Sequence, residues 1–117
     1  MGIRKISSTY YGVSGMDRAL AFYRDILELP VKFQDGDKWT QFDIGGQALA
    51  IATPAPEQVG PGEGAAVVLE VDDLDEMRAR LEKRGVAAGA TVDMGGHGRF
   101  FTVRDPDGNL VQFFARR

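Results

Sequence analysis

The sequence predicts an α+β fold built from two tandem modules, each with the order β-α-β-β-β. The chain has 117 residues, which is the commonest size for a single domain. Val13 matches Val71 and Asp17 matches Asp75, so 58 residues separate equivalent positions of an internal repeat. Each half also changes from a β-rich run to a helical pattern. We therefore expect one domain over 1–117, with module one at about 4–53, a linker at 54–65 and module two at about 66–117.

Module one begins with a β-rich run over Ile6–Val13. Apolar residues from Ala19 to Ile26 then recur at three- and four-residue spacing, which predicts a helix with one apolar face. Ser14 stands where an N-cap oxygen is wanted, and Pro30 ends the element. Short alternating runs between glycine-containing turns predict three further strands, at Val31–Gln34, Lys38–Asp43 and Gln47–Thr53.

Module two follows the same plan. Its first strand covers 66–71, and a helix with Leu74, Met77 and Leu81 on one face follows it, with Asp72 as the expected N-cap. Gly85 suits the left-handed residue that closes a helix. The turn over 105–108, Asp-Pro-Asp-Gly, is the clearest local signal in the chain. The three remaining strands are predicted at about Val86–Val92, Gly98–Arg104 and Asn109–Ala115.

Charge and composition exclude several classes of protein. Fourteen Lys and Arg against 17 Asp and Glu give a net charge of −3, and scattered basic residues argue against nucleic acid as the partner. The absence of cysteine excludes disulfides, thiolate metal sites and cysteine nucleophiles. Neither a signal-peptide pattern nor an apolar run long enough to span a membrane is present, so we expect a cytoplasmic protein without a membrane partner.

Two segments carry a resemblance to a known family. The run Val13-Ser14-Gly15-Met16-Asp17-Arg18-Ala19-Leu20-Ala21-Phe22-Tyr23-Arg24-Asp25-Ile26-Leu27 and the ending 101–114, with its Asp-Pro-Asp-Gly-Asn turn, resemble the vicinal oxygen chelate superfamily. Glyoxalase I, extradiol dioxygenases and bleomycin-resistance proteins belong to it. The resemblance implies a curved, incompletely closed barrel-like sheet around a cup-shaped cavity, with the helices outside, and a homodimer.

Catalytic members of that superfamily hold a divalent metal at four strand positions. Here the matching residues are Ser8, Ala50, Ala66 and Gln112, which are neutral or carry no donor atom. A catalytic zinc or iron site needs about three imidazole or anionic ligands. We therefore predict no metal and no other cofactor. A rearranged site from the single histidine, His97, with Asp93, Glu70 and Gln112 is the less favoured alternative.

Strand alternation indicates which side chains line the cavity. It places Tyr10 inward in the first half and Val68 inward in the second, while small residues leave volume between aromatic walls, which is typical of a ligand pocket. Whether Trp39 faces inward stays open, and Phe100 or Phe101 is its counterpart. The predicted ligand-binding residues are Ser8, Tyr10, Trp39, Ala50, Ala66, Gln112 and Phe114.

No catalytic residue is predicted, although Glu70 is a weak candidate for a general base. A strand-end acid that contacts water or an arginine is the simpler interpretation of Glu70. His97, between two glycines, is interpreted as an exposed loop residue, with contact to a ligand at the cavity mouth as the alternative.

Three functions remain compatible with these residues. The first is a metal-free protein that sequesters an antibiotic or another small apolar or aromatic molecule. The second is a lyase or isomerase of the glyoxalase or dioxygenase kind, with a displaced metal site or acid-base residues. The third is an accessory subunit whose cavity is filled core. The loss of metal ligands favours binding over catalysis.

Overall fold

A computed structural model describes residues 2, 5–54 and 58–116 of the chain. The predicted module ends at residues 4 and 117, and residues 55–57 of the predicted linker, lie outside the described residues. The chain divides into two compact units, 1–64 and 65–117. Each unit has the order β-α-β-β-β and contains one four-stranded mixed sheet, which confirms the predicted α+β class.

The first unit contains a sheet with the strand order β1-β4-β3-β2, in which β1 runs parallel to β4 and the other neighbours are antiparallel. A helix α1 follows β1 and continues through a π-helical segment. The elements are β1 (Thr9–Gly12), α1 (Met16–Leu20), the π-helical segment (Ala21–Ile26), β2 (Val31–Asp35), β3 (Trp39–Ile44) and β4 (Gln47–Ala52).

The second unit repeats this topology with the order β5-β8-β7-β6, and again the first strand is parallel to the last. Over the described ranges, neither this helix nor that of the first unit is long and apolar enough to cross a bilayer. The elements are β5 (Val67–Glu70), α2 (Leu74–Lys83), β6 (Val92–Asp93), a 3-10 turn (Gly95–His97), β7 (Arg99–Arg104) and β8 (Leu110–Ala115).

One face of each sheet packs against the helix of its unit. In the first unit Tyr23 of the π-helical segment stacks on Tyr11 with ring centroids 6.0 Å apart, and it lies 6.2 Å from Phe42. In the second unit the Phe101 and Phe113 rings stack with centroids 5.4 Å apart. The side chains of Tyr23, Phe42 and Phe101 are fully buried, and those of Tyr11 and Phe113 are nearly so. Burial of such apolar side chains is the main stabilising term of each unit.

The helix starts differ from the sequence prediction by one residue. The N-caps are Gly15 and Asp73, so the prediction of Ser14 and Asp72 was wrong. The Asp73 carboxylate accepts a hydrogen bond from Glu76 N at 3.0 Å, whereas Gly15 has no side chain to do so. The two caps are still separated by the predicted repeat distance. Gly85 closes α2 with φ of 81°, as expected.

Two predicted strands are shorter than expected. β1 begins at Thr9 rather than Ile6, and the run predicted at 86–92 pairs only over Val92–Asp93. Its Ala- and Gly-rich part is held by other means, because Arg78 Nη2 donates to Gly89 O at 2.7 Å and to Thr91 Oγ1 at 2.8 Å. A side chain from α2 thus replaces part of a strand ladder.

Candidate functional site

The strand registers divide each sheet into a helix-packed face and an opposite face, here called the open face. In β1, Tyr11 lies on the helix-packed face, so Tyr10 and Gly12 lie on the open face. Tyr10 is paired with Ala50, which is paired with Gln41. Ala52 is likewise paired with Gly12 on one side and with Trp39 on the other. On the open face of the first unit, Ala50 and Ala52 of β4 therefore lie between Tyr10 on β1 and Trp39 on β3.

Trp39, whose direction the sequence left open, lies on the same face as Tyr10. The two ring centroids are 5.5 Å apart and the ring planes are tilted by 49°. Trp39 Nε1 donates to Gln41 Oε1 at 3.4 Å, and the Tyr10 hydroxyl accepts a hydrogen bond from Val59 N at 3.1 Å. Both rings are half-buried. The pair is thus oriented by polar contacts at both ends while part of each ring stays accessible.

A segment of the linker after β4 lies against this face at Gly12. Gly12 forms an isolated parallel bridge with Pro61, and a Cβ on Gly12 would lie 2.2 Å from Val59 O and 2.7 Å from Gly60 C. No side chain fits at such distances, so only glycine lets this segment approach β1. We call residues 58–61 the strap, because they lie against β1 on the side of Tyr10.

A groove of about 660 Å³ lies beside Trp39. It is bordered by the turn between β2 and β3, by the end of β4 and by the strap, and its volume is within the range of small-molecule sites. The lining residues are Asp35, Asp37, Lys38, Trp39, Thr53, Pro54 and Gln58.

The open face of the second unit carries different residues at the equivalent positions. Gln112 is paired with Val68 and with Thr102, and Phe114 is paired with Glu70 and with Phe100. Gln112 and Phe114 are half-buried, and Val68 is 56% exposed. Phe100, and not Phe101, is therefore the counterpart of Trp39.

The two remaining small residues predicted for the site lie just before the first strand of each unit. Ser8 precedes β1 and is half-buried, whereas Ala66 precedes β5 and is exposed. Ala50, by contrast, is fully buried in the middle of β4. Its pairing with Tyr10 matches the pairing of Gln112 with Val68, so Ala50 and Gln112 occupy equivalent places in the two units.

The two residues weighed for chemistry both face water. Glu70 is exposed, and its Oε1 accepts from Arg116 Nε at 3.1 Å. This matches the simpler interpretation of Glu70 and does not provide the apolar surroundings that would favour a general base. His97 is exposed in the 3-10 turn.

The side chains at the four metal-associated positions do not form a donor set for a divalent cation. Ser8 and Gln112 offer neutral oxygens, and Ala50 and Ala66 offer none. Within the described part of either unit, no group of three His, Asp or Glu residues is arranged to hold a metal ion. Zinc and iron sites require stronger donors than these, so no chemical step here is assigned to a metal.

Sequence reasoning missed three contributors to this site. Gln41 follows Trp39 by two residues, so strand alternation alone could have placed it on the same face. Asp35 is paired with Trp39 across the β2–β3 ladder, which a prediction of that register could have found. The strap gave no local signal, because its position depends on contacts with residues of β1 that lie 49 positions earlier in the chain.

These features define a class: a duplicated β-α-β-β-β protein in which each sheet packs one face against the helix of its own unit. A family model for the Glyoxalase/Bleomycin resistance protein/Dioxygenase superfamily matches residues 5–113. The chain belongs to this superfamily, as its opening and closing motifs indicate. No curated protein matches the chain.

Solved structures with the same fold include binding proteins and enzymes. The antibiotic-binding protein TnmS3 from Streptomyces sp. CB03234 is 26% identical with a TM-score of 0.83, covering 100% of this chain and 99% of that one. A lactoylglutathione lyase from Agrobacterium tumefaciens is 24% identical with a TM-score of 0.81, covering 95% and 92%. The fosfomycin resistance protein FosX from Listeria monocytogenes is 20% identical with a TM-score of 0.77, covering 98% and 95%. The last two similarities concern the fold alone.

Proposed function

We propose that this protein binds a small apolar or aromatic molecule, such as an antibiotic, and sequesters it without a metal and without a reaction. The observation that carries the proposal is the pair of Tyr10 and Trp39 above the small residues Ala50 and Ala52 on the open face of the first unit. Aromatic side chains provide large contact areas, and both of these rings are only half-buried, so part of each is accessible to a ligand.

The proposal assigns ligand contacts to Ser8, Tyr10, Trp39 and Ala50 in the first unit. It assigns further contacts to Ala66, Gln112 and Phe114 in the second unit, where Gln112 supplies an amide that both donates and accepts hydrogen bonds. The similarity to TnmS3, an antibiotic-binding protein, supports this ligand class. We further propose that the protein forms a homodimer and that it is cytoplasmic. Both proposals rest on the sequence alone.

Catalysis is the weaker alternative because the residues that would carry it are not suitably placed. Glu70 is exposed and bound to Arg116, so its carboxylate already has a cationic partner. The positions that would hold a metal supply only the neutral oxygens of Ser8 and Gln112. Sequestration requires neither a base nor a metal, and it agrees with an open face built from aromatic and small residues.

A screen of antibiotics and aromatic metabolites by thermal shift tests the proposed function. A ligand that binds only the native state raises the apparent melting temperature, and it should also change the emission of Trp39, the only tryptophan of the chain. Trp39→Ala should weaken binding of a hit at least about tenfold, because truncation of a central aromatic residue typically removes much of the binding energy.

Two control variants distinguish loss of a ligand contact from loss of protein stability. Trp39→Phe should retain most of the affinity, and Val92→Ala, an exposed truncation on the short strand β6, should leave it unchanged. Full affinity in Trp39→Ala would remove Trp39 from the site. A wide screen without a hit would instead favour the accessory-subunit hypothesis.

Elemental analysis tests the metal-free part of the proposal. Protein purified without chelator should contain less than one Zn, Fe, Mn or Ni per chain, because the neutral oxygens of Ser8 and Gln112 cannot hold such an ion tightly. One tightly held ion per chain would contradict the proposal and would favour the catalytic alternative.

A further inference from the structure

Two carboxylates line the groove beside Trp39, and neither has an ion-pair partner among the described residues. Asp35 and Asp37 are exposed, and in the part of the chain that the structure describes neither side chain forms an ion pair or a hydrogen bond. Other acids do find arginine partners: Asp25 with Arg24, Asp75 with Arg99, and Glu70 with Arg116. The groove therefore presents negative charge that is available to a ligand.

Asp35 is close to the indole because of the strand register. It is paired with Trp39 across β2 and β3, so both side chains point to the open face. Directly opposed residues of antiparallel strands have Cβ atoms about 4.5–5.5 Å apart. A ligand that contacts the Trp39 ring in the groove thus also comes near a carboxylate.

The charge of the lining favours a cation but is not purely acidic. Lys38 also lines the groove, so the charged groups facing it are the two carboxylates and one ammonium group. Asp35, which is paired with Trp39, attracts a cation electrostatically. The same cation would also be attracted to the face of the indole ring, since Trp is the strongest cation–π partner among the aromatic residues. An anion would be repelled by both carboxylates and would have no cation–π attraction to the indole.

We propose that the groove selects a planar aromatic molecule that carries a positive charge. The aromatic body lies against Trp39, and the cationic group lies toward Asp35 and Asp37. This inference rests on the proposed function and specifies the ligand class for the groove, which shares Trp39 with the site proposed above. The groove volume of about 660 Å³ accommodates a molecule of roughly three fused rings.

Three tricyclic probes of similar shape and different charge test the inference with the full chain at pH 7. They are 9-aminoacridine as the cation, acridone as the neutral molecule and acridine-9-carboxylate as the anion. Dissociation constants come from probe fluorescence anisotropy, and thermal shift provides an independent measurement. We expect the cation to bind at least about tenfold more tightly than the neutral probe, and the anion to bind most weakly.

Charge-removing variants locate the effect. The double variant Asp35→Asn with Asp37→Asn should lower the affinity for 9-aminoacridine about tenfold and leave acridone unchanged, since only the cation uses the carboxylates. The matched control is Asp72→Asn with Glu82→Gln, which removes two exposed charges from the second unit. This control should bind all three probes like the unaltered protein.

Each other result overturns the inference. Equal affinity for the cation and the neutral probe would show that charge is not selected. An equal loss in both double variants would show attraction by net charge rather than by the groove. If none of the three probes binds, the inference fails, whereas the proposed function is decided separately by the screen of antibiotics and metabolites.

Discussion

Replacing Asp105 by alanine is expected to lower the free energy of unfolding by about 3–5 kcal/mol, because several charge-assisted hydrogen bonds of about 1.5–3 kcal/mol each are lost together. The carboxylate is buried in the turn before β8. Oδ1 accepts from Asp107 N at 2.9 Å and from Asn109 N at 2.8 Å, and Oδ2 accepts from Asn109 Nδ2 at 2.8 Å. Truncation leaves these donors without their acceptor.

Urea unfolding followed by circular dichroism measures this loss. Asp105→Asn keeps one oxygen for the backbone donors but turns an NH₂ group toward Asn109 Nδ2, so an intermediate loss is expected. Asp72→Ala, which removes an exposed carboxylate of the same unit, should change the stability by less than about 0.5 kcal/mol. A loss in Asp105→Ala no larger than in this control would contradict the assigned role of the turn.

Replacing Gly12 by alanine is expected to destabilise the protein by about 2–3 kcal/mol, because the added methyl group overpacks a site that has no room for it. Its Cβ would lie 2.2 Å from Val59 O, and a backbone oxygen cannot move aside as a flexible side chain can. The strap has to move away from β1. We therefore expect the hydrogen bond from Val59 N to the Tyr10 hydroxyl to be lost as well.

The same substitution reports on the groove. Gln58 of the strap lines the groove together with Trp39, so displacement of the strap should shift the Trp39 emission and weaken a bound ligand. Gly96→Ala is the control, because its Cβ would meet nothing within 4 Å and its φ is not in the left-handed region. If Gly12→Ala were as stable as Gly96→Ala, with unchanged emission, the strap would not be held against β1.

The position at which the strap lies against β1 is occupied by a different kind of residue in the second unit. Gly12 and Glu70 are equivalent positions, since each lies at the end of the first strand of its unit and is paired with the last strand. Glycine admits a second backbone segment at this place. Glu70 instead extends a charged side chain that binds Arg116. Duplicated modules have thus diverged where one backbone approaches another.

Patterns along the chain were sufficient to predict the repeated β-α-β-β-β order and the face on which most strand residues lie. Alternation placed Tyr10 and Tyr11 on opposite faces, and it grouped Gln112 with Phe114, as the registers confirm. The residue types of the turns likewise predicted Gly85 at a positive φ. These features depend on neighbouring residues, so local sequence determines them.

Tertiary contacts decided the features that local patterns cannot encode. The run at 86–92 looked like a strand, but Arg78 from α2 binds part of it instead. The direction of Trp39 and the place of the strap follow from the contact with Tyr10 and from the space at Gly12. Alternation along a strand predicts which residues share a face of the sheet. The segments that cover that face and the charges beside it depend on contacts between residues distant in sequence, which form only in the folded chain.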